Sequence, residues 1–113
     1  MDRLKKYQQA VEAVLENYVG SARPKRPGVE KQIIADLKRN RFQVIHFGWK
    51  DEEEMVFSTL LHLEIMDGKV WIHQNWTELQ IADLLMEKGV ERSDIVLGFV
   101  PAWARSETGF ALA

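Results

Sequence analysis

Asp67-Gly68 stands between two runs that each read as a β-strand, "MVFSTLLHLEIM" (residues 55–66) and "KVWIHQNW" (residues 69–76). An Asp-Gly pair between two such runs specifies a two-residue hairpin, because both loop positions require φ > 0. The turn then sets the pairing. Met66 faces Lys69, Ile65 faces Val70 and Leu63 faces Ile72. On the opposite side Glu64 faces Trp71 and His62 faces His73. Strict alternation puts Phe57, Thr59, Leu61, Leu63 and Ile65 on the core side. Ser58, Leu60, His62 and Glu64 fall on the other.

The rest of the chain is read outward from this hairpin. Leu4, Tyr7, Val11, Val14, Leu15 and Tyr18 recur every three or four residues, which predicts an amphipathic helix over 2–18. Asp2 is placed to cap it and Gly20 to stop it. "GSARPKRPG" (20–28) is linker-like, since its two prolines and two glycines interrupt regular structure. Residues 29–40 are read as a strand and "RFQVIHFGWK" (41–50) as a second, rich in β-branched and aromatic residues. The acidic run that follows is a loop. Thr77 and Gln80 have the spacing of a capping box, opening a helix that carries Ile81, Leu84, Leu85 and Met86 and ends at Gly89. "SDIVLGFV" (93–100) is a short buried strand. "PAWARSETGFALA" has no clear period, and its apolar end suggests a tail that packs.

This order predicts an α+β fold, a two-layer arrangement of an antiparallel β-sheet with helices packed on one face. The 113 residues form one domain, 1–113, long enough to bury a core without metals or disulfides. There is no Cys, which excludes thiol chemistry and Cys-zinc sites and fits a cytoplasmic protein. No apolar run reaches the roughly 20 residues that cross a bilayer, so no membrane is expected.

The second face of such a sheet is left to solvent or to a partner. Leu60, His62, Trp71 and His73 would lie there and are the candidate partner-interface residues, Trp71 foremost. His62, His73 and Glu64 could also supply a metal triad, but spacing alone is a poor warrant and the three are more usually surface groups. No phosphate-binding glycine loop or serine elbow occurs, so neither catalytic residues nor a cofactor are assigned. Residues 1–41 hold ten Lys/Arg and five Asp/Glu, whereas residues 42–113 hold five and twelve. Arg23, Lys25 and Arg26 are therefore the candidate nucleic-acid contacts, although a solvated basic face explains them as well.

Several segments together resemble the XisI-like family, the fdxN element excision controlling factors. They are the "DGKVWI" hairpin, the helix start at Asn75, Thr77 and Glu78, and "DIVLGF" from Asp94 to Phe99. The following proline, the closing "FALA" and "FQVIHFGW" extend the likeness over nearly the whole chain. The resemblance implies control of DNA-element excision, a form of site-specific recombination, during heterocyst development in cyanobacteria. It also implies a XisH-like companion and a separate recombinase. No catalytic residues come with it. His73 stands where the family more often has Gln, which weighs against a required metal ligand. Three readings stay open, in this order: a non-catalytic controlling factor that binds a XisH-like protein, a direct DNA-binding protein, and a metal-dependent enzyme or nuclease subunit. A homo-oligomer is compatible with all three.

Overall fold

The computed structural model describes residues 2–20 and 28–113. Helix α1 runs Arg3–Val19. Asp2 accepts the Leu4 N–H at 3.3 Å, and Gly20 ends the helix at φ 76. Strands β1 (Val29–Asp36), β2 (Arg41–Trp49), β3 (Met55–Met66) and β4 (Lys69–Asn75) form a continuous antiparallel meander. A short helix α2 (Ile81–Glu87) follows, then a 3-10 turn (Arg92–Asp94), β5 (Ile95–Leu97) and a second 3-10 segment (Ala102–Glu107).

The sheet order is β1-β2-β3-β4-β5. β5 runs parallel to β4, pairing Val70 with Ile95 and Ile72 with Leu97. The expected sheet was antiparallel, and this edge departs from it. The chain leaves β4, crosses through α2 and returns in the same direction, as a connection of that length permits. Both helices lie on one face. Tyr7, Val11, Val14 and Leu15 of α1 meet Phe42, Val44, Leu61, Leu63, Val70 and Ile72 of the sheet, with Ile81 and Leu85 from α2. These residues form one buried cluster.

The Asp67-Gly68 turn has φ 53 and 77, as a two-residue hairpin requires. Its register agrees with expectation from Met66↔Lys69 through Leu63↔Ile72. It then slips. His62 pairs with Gln74 rather than with His73, so His73 is an extra residue in β4. A second slip lies between β2 and β3, where Val44 pairs with Leu61 but Ile45 pairs with Thr59. Leu60 is the residue inserted there. A bulge of one residue reverses the alternation beyond it. Leu60 accordingly packs against the core cluster, not on the outer face. Phe57 and Thr59, expected inside, oppose Phe47 and Ile45 on the outer side, and Phe57 is 66% exposed.

The start of α2 also differs from expectation. Gln80 is the N-cap but makes no side-chain capping bond. Instead Thr77 Oγ1 accepts the Leu79 N–H at 3.1 Å, and the Asn75 amide donates to the Leu79 carbonyl at 2.9 Å. These local bonds build a turn before the helix, an alternative that Ser, Thr and Asn side chains offer the backbone. The tail packs as its composition suggested. Phe110 joins the core and Ala111 donates its N–H to the Ile95 carbonyl at 2.8 Å.

Tyr7 ties α1 to the far end of the chain. Its hydroxyl donates to Asp94 Oδ2 at 2.6 Å and accepts the Glu91 N–H at 3.3 Å. Burial and the Asp94 carboxylate hold the phenol above its ordinary value. Tyr7→Phe keeps the ring but leaves both partners short of one bond. It should lower stability by about 1–2 kcal/mol, measured by chemical denaturation.

Candidate functional site

The outer face of the sheet has two parts. The first is polar and centres on β2, β3 and β4. Arg41 pairs with Glu64 and Gln43 with His62 across the β2–β3 ladder. The Arg41 Nε stands 3.5 Å from Glu64 Oε2, and His73 Nε2 donates to Glu64 Oε1 at 3.0 Å. The Gln43 amide donates to His62 Nδ1 at 3.1 Å. The two imidazoles stack with centroids 5.4 Å apart, and His73 stacks in turn on Trp71 at 5.8 Å. The β4 bulge brings this about, because it leans both His73 and Gln74 toward the outer side. The Gln74 amide there donates to the Thr59 carbonyl. Ile34, Asp36, Arg41, Gln43, His62 and Glu64 border an open hollow of about 490 Å³.

The sequence thus anticipated the meeting of His62, His73 and Glu64, though through a different register. Glu64 is held by His73 and Arg41, and one nitrogen of each imidazole is engaged, His73 Nε2 by Glu64 and His62 Nδ1 by Gln43. Among the described residues no group of three His, Asp or Glu side chains is arranged to hold a metal. Burial acts to raise the Glu64 carboxyl, but the His73 hydrogen bond and the Arg41 charge outweigh it and hold the carboxyl below its ordinary value. His62 is lowered by burial and by the charges of His73 and Arg41, against the pull of Glu64. The folded protein therefore favours the neutral imidazole more than the unfolded chain does.

Trp71 is half-buried rather than open. The Arg105 guanidinium from the C-terminal 3-10 segment lies over its ring at 5.1 Å. Val96, opposite Trp71 in the β4–β5 ladder, is fully buried beside it. Gly98 passes so close that a Cβ there would stand 2.9 Å from His73 Nδ1 and 3.3 Å from the Trp71 ring. The segment after β5 thus closes over this end of the outer face. Arg23, Lys25 and Arg26 lie outside the described residues.

The second part of the outer face is apolar and was not singled out from the sequence. Phe47 meets Phe57 edge-on at 5.9 Å. Trp49 opposes Met55 one step further on, and these are 50% and 48% exposed. Ile34 of β1 is exposed beside Gln43. Ile45, Phe47 and Trp49 alternate along β2 and so share one face. What hid that face was the bulge at Leu60.

A two-layer α+β domain with one covered and one partly open sheet face is the class to which this chain belongs. The chain matches the family described as "XisI protein" over residues 1–112, and it belongs to that family. No curated protein matches it. Among solved structures it is similar to the fdxN element excision controlling factor XisI from Anabaena variabilis ATCC 29413, at 30% identity and TM-score 0.84. That alignment covers 99% of this chain and all of the other. It is similar as well to a XisI-like protein from the same organism, at 36% identity and TM-score 0.87 over 97% and 99% of the two chains.

The lowered His62 value has a consequence for stability. In the unfolded chain His62 takes up its proton near the ordinary 6.5, whereas the folded protein resists it to lower pH. The unfolded state then binds more protons, so stability falls as pH drops below about 6.5. Thermal melting between pH 7.5 and 5.5 should show this loss, and His62→Gln should reduce it.

Proposed function

We propose that this chain is a non-catalytic controlling factor for excision of a DNA element, acting by binding a XisH-like partner protein through the outer face of its sheet. The observation that carries the reading is the open part of that face. Apolar side chains of the adjacent strands β2 and β3 stand at the surface there, outside the core cluster that the helices cover. Exposed apolar patches of this kind mark interaction surfaces more often than catalytic ones. Support for the excision role comes from family membership and from the solved relative described as an fdxN element excision controlling factor.

The polar part of the face suits recognition better than turnover. Its charged groups are already paired, so they would set orientation and exclude mismatched partners. Co-expression with the XisH-like protein should yield one complex through size-exclusion chromatography at micromolar concentration. Failure of the two proteins to co-elute would overturn the reading.

A further inference from the structure

The apolar part of the outer face adjoins a loop of strong charge. Lys50, Asp51, Glu52, Glu53 and Glu54 join β2 to β3 directly beyond the Trp49–Met55 pair, and all five are exposed. The loop is closed by the Lys50 N–H on the Glu54 carbonyl at 2.8 Å. Asp51 Oδ1 accepts the N–H groups of Glu53 and Glu54, each at 2.8 Å. Lys50 reaches Glu54 at 3.9 Å. Among the described residues Glu52 and Glu53 have no ion-pair partner. The loop is thus held in shape by Asp51, while two carboxylates stay available at the rim of an aromatic surface.

We infer that Phe47, Trp49, Met55 and Phe57, with the rim carboxylates Glu52 and Glu53, form the docking site for a partner segment that carries apolar side chains flanked by lysine or arginine. The inference rests on the proposed function and assigns the chemistry of the partner. The apolar side chains offer contact area that gains by leaving water. The carboxylates choose the sign of what flanks it, since complementary potential sets specificity and encounter rate more than affinity. A DNA backbone or an anionic lipid surface would meet repulsion at this rim. A second copy of this chain would bring an identical acidic loop with it, which disfavours pairing centred on the tip.

The test measures binding of the full chain to the XisH-like companion by stopped-flow and titration calorimetry over a range of salt. Phe57→Ser should weaken binding at least tenfold, with folding checked by circular dichroism because the side chain is largely exposed. The double change Glu52→Gln/Glu53→Gln should slow association several-fold and flatten the salt dependence seen with the unaltered protein. If both variants bind like the unaltered protein, or the Gln pair binds more tightly, the inference fails and so does the outer-face route, while binding to the companion itself stands. If the unaltered protein does not bind the companion at all, both fail.

Discussion

A strand sends alternate side chains to opposite faces, and this sheet packs one face under helices and leaves the other partly open. Everything else depends on keeping that alternation in step across four antiparallel strands. α1 supplies the counter-surface, with Tyr7, Val11, Val14 and Leu15 set against Phe42, Val44, Leu61 and Leu63. Where the strands remain in step, the inside is apolar and the outside is polar, as around Gln43, His62 and Glu64. Where one residue is inserted, the pattern inverts. The bulge at Leu60 turns that side chain inward and sends Phe57 outward. The bulge at His73 brings a second imidazole against the first. Two insertions therefore shape most of the outer surface.

The polar centre of that surface is balanced by mutual satisfaction. Glu64 is shared by Arg41 and His73, while His62 is lowered chiefly by burial, with His73 and Arg41 adding to it. Each of these four side chains thus spends at least one polar atom on a neighbour across the strands. The apolar part has no comparable compensation. Trp49, Met55 and Phe57 remain in water with carboxylates at their edge, an arrangement that costs solvation and gains only when something covers it. The contrast separates a region whose polar groups bind one another from one whose apolar side chains stay uncovered.

Much of the fold was legible because it rests on short-range rules. The Asp67-Gly68 turn, the spacing of α1, the four strands and the packing tail each follow from local chemistry. So did the clustering of His62, His73 and Glu64, since a register error of one residue still left them neighbours. The capping box was misjudged because Asn75 competes for Thr77, and two local bonding patterns cannot be ranked from spacing alone. The direction of β5 required knowing where α2 carries the chain. Leu60 and Trp71 were assigned to an open face, but a bulge withdraws one and Arg105 covers the other.

The sequence by itself determined the element types, their order, the hairpin register near its turn and the family, because period, turn residues and motifs are all local properties of the chain. Only the tertiary structure decided which side of the sheet each aromatic residue occupies. A bulge is a compromise between two strands over a curved core. No single strand records it, so the exposed face at Phe47, Trp49, Met55 and Phe57 exists only once β2 and β3 are paired beneath α1.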